Sequence, residues 1–204
     1  MSSLLSVLAS PRGAYSISRA LNSAFVEEWK KNNSGGSVVT RDLCTTELPF
    51  VDLPWIAGAY TPAEQHSPEM SAAIKISNDL IAELQAASHI VIATPMYNFN
   101  TPAILKAWID HIVRVGVTFS ASYEGLLKDK KVTVILASGG VYTPGSHMES
   151  YNAESAYLKQ VLGFIGLTDV NFVLAGGSND VAHGKTTQEA LVASFLPEVQ
   201  DAAK

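Results

Sequence analysis

The fold of this chain is indicated most strongly by the stretch from Ile90 to Pro102, which reads Ile-Val-Ile-Ala-Thr-Pro-Met-Tyr-Asn-Phe-Asn-Thr-Pro. Its first four residues form a short apolar run of the kind found in buried parallel strands. From Pro95 onward, two aromatics and two amides stand between two prolines, so the chain turns stiffly and enters a helix at Pro102 behind a Thr101 cap. A loop at the carboxyl end of a parallel strand is where open α/β sheets bind flat ligands.

Strand and helix patterns alternate on both sides of this stretch. The predicted strands are Leu4 to Ala9, Ser37 to Asp42, Ile90 to Ala93, Val132 to Leu136 and Val170 to Ala175. Predicted helices begin near Ser16 or Ser18, at Pro68, at Pro102, near Tyr151 and at Thr187. This alternation predicts an α/β protein with a five-stranded parallel sheet of order 2-1-3-4-5 and helices on both faces.

Prolines and apolar spacing give further local expectations. The segment from Leu48 to about Ser67 is punctuated by prolines and is predicted as a loop, and Pro197 is predicted to break or kink the last helix. The helix from Pro68 has an apolar stripe at helical spacing, made of Ala73, Ile76, Leu80, Ile81 and Leu84.

Composition limits the class of protein. The chain has 204 residues, 47% of them hydrophobic and 16% charged, which predicts one domain over residues 1–204. A net charge of -5 argues against nucleic acid or an anionic membrane surface as a partner. The one cysteine, Cys44, excludes an internal disulfide and is interpreted as a packing thiol in a cytoplasmic protein. The five histidines have no metal-ligand spacing, so no metal is expected.

The first strand-to-helix turn has the composition of a phosphate site. From Ser10 to Ser18 the chain offers three serines, one glycine and a helix start, and free amides at a helix N-terminus attract anions. Serine is also a common helix cap, so plain capping is an equal interpretation, and Arg12 either assists or faces solvent. The turn has neither the Walker lysine nor the Gly-x-Gly-x-x-Gly pattern.

Loops after the first, third and fourth strands meet at one edge of such a sheet. The fourth strand ends in Ser138-Gly139-Gly140, where a glycine pair permits close backbone approach. Together the three loops describe one ligand, with a phosphate at the first loop and a flat ring between the other two.

These motifs, together with Gly116-Val117-Thr118-Phe119 and Leu162-Gly163-Phe164-Ile165-Gly166, cover nearly the whole chain. In combination they resemble the FMN-dependent NADH azoreductases, also described as NADH:quinone oxidoreductases, of the flavodoxin-like fold. Met96-Tyr97-Asn98-Phe99 is the most specific of the shared motifs. The resemblance implies a three-layer flavodoxin-like sandwich.

The resemblance also implies which residues hold the cofactor and the substrate. The implied FMN-binding residues are Ser10, Ser16, Ile17, Ser18, Met96, Tyr97, Asn98, Phe99, Ala137, Ser138, Gly139, Gly140 and Tyr142. The implied substrate pocket is formed by Phe99, Phe119, Tyr142 and Phe164, although Phe119 and Phe164 have the spacing of core residues as well. Ser138 stands in place of a loop arginine of the family, and Tyr142 in the usual place of a histidine.

The implied activity is hydride transfer from NADH through one FMN per subunit to quinones, with reductive cleavage of azo compounds, in a ping-pong cycle without a protein acid or base. The implied assembly is a homodimer with active sites at the subunit interface, and we expect its contact on the helix face of Trp108 and Ile112. Two alternatives remain: a flavodoxin-like electron carrier that does not oxidise NADH directly, and an FMN-binding interaction protein with incidental reductase activity.

Overall fold

The computed structural model, which describes residues 2–204, is built on a five-stranded parallel sheet. Its strands are β1 (Ser3–Leu8), β2 (Ser37–Asp42), β3 (His89–Pro95), β4 (Lys131–Ala137) and β5 (Asp169–Ala175). They lie in the order β2-β1-β3-β4-β5, and each neighbouring pair is parallel. The predicted sheet order is confirmed.

Helices connect the strands. Over the described residues they are α1 (Ile17–Asn32), α2 (Leu53–Tyr60), α3 (Pro68–Ala86), α4 (Ala103–Ile112), α5 (Ala153–Phe164), α6 (Ser178–Ala182) and α7 (Gln188–Ala202). Five of them start behind a side-chain cap that accepts a hydrogen bond from the amide three residues on, and the caps are Ser16, Asp52, Ser67, Asn152 and Thr187. None of the helices within residues 2–204 is long and apolar enough to cross a bilayer.

Two apolar cores, one on each face of the sheet, make the fold a three-layer sandwich. Helices α3, α4 and α5 pack on one face through residues such as Leu80, Trp108 and Leu162. Helices α1 and α7 cover the other face, where Phe25 and Val199 are buried. The flavodoxin-like layering implied by the resemblance is confirmed.

The contact surface expected on α4 is wrong. Trp108 and Ile112 are 1% and 0% exposed and belong to the core between α4 and the sheet. In a sequence, the same apolar spacing is found on a helix face that packs into the core and on one that contacts another subunit. On α4 this face packs into the core.

Other local expectations also differ from the structure. Helix α2 lies inside the segment predicted as a loop, because Asp52 caps it and Pro54 falls in the first turn, where proline is tolerated. Thr101 does not cap α4, whose N-cap position is taken by Pro102. Pro197 is exposed and does not end α7. Cys44 is exposed, so its interpretation as a packing thiol is wrong.

The predicted stripe of α3 is correct in part. Leu80, Ile81 and Leu84 are buried, and Ile76 packs against the same core. Ile74, which the predicted stripe left out, is also fully buried. Ile74 lies seven residues before Ile81 and therefore on the same side of the helix, so the buried face includes this residue in addition to the predicted stripe.

Candidate functional site

The carboxyl ends of β1, β3 and β4 lie side by side and open into a cavity of about 250 Å³. It is lined by Ser10, Arg12, Ser16, Ile17, Ser18, Pro95, Met96, Tyr97, Ala137, Gly139, Ser178 and Asn179. Eight of these are residues that the sequence assigned to the cofactor. The remaining five, Asn98, Phe99, Ser138, Gly140 and Tyr142, follow in the same loops.

The turn between β1 and α1 presents buried hydrogen-bonding groups to this cavity. Ser10, Ser16 and Ser18 are each at most 2% exposed. The Ser16 hydroxyl oxygen accepts a hydrogen bond from the Arg19 amide and lies 3.2 Å from the Ser18 hydroxyl. In the described chain the amides of Ile17 and Ser18 donate to no protein acceptor. Free amides and hydroxyls at a helix N-terminus form a site for an anion, and Arg12 lines it while staying exposed.

Arg19, which the sequence reasoning missed, holds this turn in place. Its guanidinium makes two 2.7 Å hydrogen bonds to the Asp42 carboxylate at the end of β2. Its Nε donates to the Ser10 carbonyl oxygen at 2.6 Å. The bonds from Arg19 lower the pKa of Asp42, and the same pairing raises the pKa of Arg19. The available sequence signal for this ion pair was Asp42, an acidic residue at the end of the neighbouring strand.

The loop after β3 is a tight turn under strain. Tyr97 and Asn100 exchange backbone hydrogen bonds of 2.9 and 3.0 Å. Between them Asn98 and Phe99 have φ values of 50° and 68°, in the left-handed region that Asn tolerates and Phe does not favour. The amides of these two residues donate to no acceptor within residues 2–204. Non-glycine strain of this kind is concentrated at ligand sites.

The loop after β4 is held by the turn that precedes α6. The carbonyl oxygens of Ser138, Gly139 and Gly140 accept hydrogen bonds from the amides of Ser178, Asn179 and Gly177 respectively. The Gly139 and Gly140 amides have no acceptor in the described chain, which leaves them available to a ligand. The Ser138 hydroxyl donates to the Gly140 carbonyl oxygen at 2.9 Å. The serine that stands in place of the family's arginine therefore makes its hydrogen bond within its own loop.

Aromatic side chains form two clusters, and the first includes Phe99 of the loop after β3. Phe99 lies 5.4 Å from Tyr151 and 6.4 Å from Tyr142 between ring centroids. Phe119 lies 4.7 Å from Phe164 between ring centroids, and Tyr123 stacks on Phe119 and lies 6.4 Å from Phe164. The four predicted pocket residues are thus divided between two clusters.

Tyr151 and Tyr123 extend the clusters and were missed by sequence reasoning. They are 52% and 75% exposed. Neither tyrosine belongs to an apolar pattern with helical or strand spacing, so no sequence pattern indicated their role. Phe164, at 36% exposed, is not a core residue.

The donors of the cavity fit FMN. Buried serine hydroxyls and the amides at the start of α1 suit its phosphate, since neutral donors and the partial positive charge of a helix N-terminus stabilise a dianion. The free amides of the other two loops suit the polar edges of a flat ring. The structure thus defines a flavodoxin-like α/β protein with its ligand site at the carboxyl edge of the sheet.

Comparison with known proteins agrees with this class. The family model described as the flavodoxin-like fold matches residues 2–195. The chain is 44% identical over 203 residues to "FMN-dependent NADH:quinone oxidoreductase 8" of Burkholderia lata, covering 100% of this chain and 97% of the relative. It is 46% identical over 204 residues to "FMN-dependent NADH:quinone oxidoreductase 2" of Jannaschia sp. strain CCS1, covering 100% of both.

A solved structure, the azoreductase from Bacillus anthracis strain Sterne, superposes with a TM-score of 0.86 at 28% identity, covering 100% of this chain and 99% of that chain. The chain therefore belongs to the flavodoxin-like family of FMN-dependent NADH:quinone oxidoreductases and NADH azoreductases.

Proposed function

We propose that this protein is an FMN-dependent oxidoreductase that transfers a hydride from NADH to quinones and also reduces aromatic azo compounds to amines. One observation carries the proposal: an anion site at the start of α1 and two loops with free amides line a single cavity. The two relatives that match along the full chain bear the name of this activity.

The phosphate of FMN binds at the turn from Ser10 to Ser18. The hydroxyls of Ser16 and Ser18 and the amides of Ile17 and Ser18 are its donors. Arg19 keeps the turn in this conformation through the Ser10 carbonyl, and it does not itself line the cavity. The relatives from Burkholderia lata and Jannaschia sp. are named FMN-dependent, which supports FMN as the cofactor and not FAD.

The Met96–Phe99 loop and the Gly139–Gly140 loop would hold the ring of FMN. When bound there, FMN supplies the hydride chemistry, accepting reducing equivalents from NADH and delivering them to the acceptor. The Gly139 and Gly140 amides stabilise negative charge at the pyrimidine edge, because donors fixed in place need no reorganisation as charge develops. The amides of Asn98 and Phe99, which have no acceptor within residues 2–204, would be available to the other polar edge of the ring.

The acceptor stacks on the ring among the aromatic clusters. Phe99, Tyr142, Phe119 and Phe164 favour flat acceptors, since aromatic contacts add about 0.5–1.5 kcal/mol beyond burial. A single site for nicotinamide and acceptor would admit them in turn, as in a ping-pong cycle. An azo compound takes four electrons on its way to two amines and therefore needs two cycles.

The active unit is a homodimer with the active sites at its interface. Since Trp108 and Ile112 of α4 are buried, we place the contact on α2, where Leu53, Ile56 and Tyr60 are exposed on successive turns. On its other face, α2 is anchored by the indole of Trp55, which donates to the imidazole of His111 at 2.9 Å. An exposed apolar face on an anchored helix is typical of association surfaces.

Acid release of the cofactor from the purified protein tests its identity. Chromatography should show FMN, and recovered FAD would contradict the proposal.

A charge variant tests the phosphate site. Ser18→Asp sets a carboxylate against the phosphate, so FMN affinity should fall at least about tenfold. Ser23→Asp adds the same charge on the exposed side of α1 and should leave the affinity unchanged. Equal affinities of the two variants in a flavin fluorescence titration would remove Ser18 from the site.

A further inference from the structure

A buried carboxyl group lies behind the cofactor loop and has no part in the chemistry described above. Glu154, in the first turn of α5, is 0% exposed. Its Oε1 lies 3.1 Å from the hydroxyl of Thr94, which is also 0% exposed. Thr94 is followed directly by Pro95, where β3 ends and the Met96–Phe99 loop begins. Glu154 thus connects α5 to the start of that loop.

The two contacts of the Thr94 hydroxyl agree with a glutamate that carries a proton. The Thr94 hydroxyl oxygen lies 3.1 Å from Glu154 Oε1 and also 3.1 Å from the Pro95 carbonyl oxygen. A hydroxyl has one hydrogen, and a carboxylate and a carbonyl can only accept. With an ionised Glu154, both acceptors must share the one hydroxyl hydrogen. With a neutral Glu154 that donates to Thr94, the Thr94 hydrogen is fully available to Pro95, and each contact is a complete hydrogen bond.

The surroundings of Glu154 favour the same state. Glu154 Oε2 is buried and has no hydrogen-bond partner within residues 2–204, an arrangement that costs far more for a carboxylate than for a neutral acid. Burial raises the pKa of Glu154 to about 8, and the Thr94 hydroxyl lowers it in part. The dipole of α5 acts in the opposite direction, but burial is complete.

Nearby charged groups do not set this state. Tyr157 and Lys159 are the next titratable groups along α5, and on α4 Lys106 pairs with Asp110. Lys106 and Asp110 act on the pKa of Tyr157. In the described part of the chain, burial and Thr94 account for the pKa of Glu154.

We propose that Glu154 is a positioning residue that works as a neutral acid and, through Thr94, fixes the Pro95 carbonyl and the cofactor loop that follows it. The role in cofactor binding rests on the proposed function, since it requires FMN in this cavity. When Glu154 loses its proton at alkaline pH, the Thr94 hydroxyl turns toward the stronger carboxylate acceptor and releases Pro95. The loop then loosens.

The test starts from flavin-free protein labelled with ¹³C in its glutamate carboxyl groups. In an NMR titration the Glu154 carboxyl should remain protonated at pH 7 and titrate with a midpoint near 8. The amide resonances of Met96 to Phe99 should shift with the same midpoint in the wild type and should not do so in Glu154→Gln, which keeps a donor but cannot ionise. A midpoint near 4 to 5, or loop resonances that follow the same titration in the Gln variant, would overturn the proposal.

Binding of FMN gives a second readout. The ratio of the FMN dissociation constants of wild type and Glu154→Gln should be near one at pH 6 and rise to about three- to tenfold at pH 9.5, the effect of one hydrogen bond. A change in the protonation of FMN with pH affects both dissociation constants equally and therefore cancels in this ratio. A ratio that stays flat with pH would overturn the role in cofactor binding.

Two further sets of variants separate the relay from general damage to the fold. Thr94→Val should weaken FMN binding relative to wild type at pH 6, where the wild type keeps the Thr94–Pro95 bond, and the difference should shrink at pH 9.5. Thr94→Ser, which keeps the hydroxyl, should bind FMN as the wild type does. Glu64→Gln, at an exposed position, should behave as wild type. Absence of FMN binding in every variant would contradict the proposed function, whereas the titration of the flavin-free wild type would still decide the state of Glu154.

Discussion

Phe99 has a backbone conformation that its residue type does not favour. Its φ of 68° follows the 50° of Asn98 in a turn of four residues closed by Tyr97 and Asn100. A left-handed conformation costs a non-glycine residue about 1–2 kcal/mol. The aromatic ring is kept there against this cost and contacts Tyr142 and Tyr151, which agrees with a role in the pocket and not in stability.

A pair of variants at this position separates strain from ring contacts. Phe99→Gly and Phe99→Ala both remove the ring, but only glycine also removes the strain. Phe99→Gly should therefore be more stable than Phe99→Ala by about 1 kcal/mol in urea unfolding. At Ala82, exposed within α3, the order should reverse, with Ala82→Gly about 1 kcal/mol less stable than the wild type. A Phe99→Ala variant as stable as Phe99→Gly would show that the turn is not strained.

Between elements, the ion pair of Arg19 and Asp42 joins α1 to the end of β2 and, through Ser10, to the phosphate turn. The side chains are 19% and 25% exposed, so the pair is only partly screened by solvent. The folded-state pKa of Asp42 is lowered, chiefly by the bonds from Arg19. Its contribution to stability is therefore present above the pKa of an unfolded Asp, about 4, and is lost as the pH falls through the lower folded-state value.

The Asp42→Asn variant tests this coupling. At pH 7 it should lower the free energy of unfolding by about 1.5–3 kcal/mol, the usual effect of hydrogen bonds to a charged group. The difference from wild type should shrink in urea titrations at pH 3. Asp79→Asn breaks the exposed pair with Lys75 and should cost less than about 1 kcal/mol. A loss for Asp42→Asn that is equal at pH 7 and pH 3 would exclude the ion pair as its cause.

The strands and loops that build the site could be predicted from sequence because their signals are local. Apolar runs give the strands, and Pro95 to Pro102 gives the loop. Helix α2 was missed because prolines outweighed the Asp52 cap. Arg19 and Glu154 were missed for another reason: their partners, Asp42 and Thr94, are 23 and 60 residues away along the chain. Such contacts depend on strand order and on how the helices are layered, and not on local spacing.

At the scale of the whole molecule, the exposed apolar face of α2 is the surface on which we expect two copies of the chain to associate. Leu53 and Tyr60 are 77% and 75% exposed, and Phe50 beside them is 79% exposed. Several large apolar side chains exposed on one short segment are typical of a surface that a partner covers.

Charge on this face should prevent association. Leu53→Glu and Tyr60→Glu should give monomers in light scattering, since each carboxylate would lose its solvation in a closed interface. Activity should fall with the dimer if the second subunit closes the pocket. Phe164→Ala is the control: it should keep the wild-type mass and change mainly the KM for the acceptor. Fully active monomers of the glutamate variants would contradict both the interface and the shared pocket.

The central claim is that the protein oxidises NADH directly through its bound flavin. Mixing the FMN-loaded protein with NADH in the absence of oxygen, and following the visible absorbance of the flavin, tests this most directly. The proposed oxidoreductase predicts rapid bleaching by NADH alone, and return of the absorbance when a quinone such as menadione is added. A flavin that stays oxidised until a separate reductase is supplied would contradict the claim and identify the protein as an electron carrier.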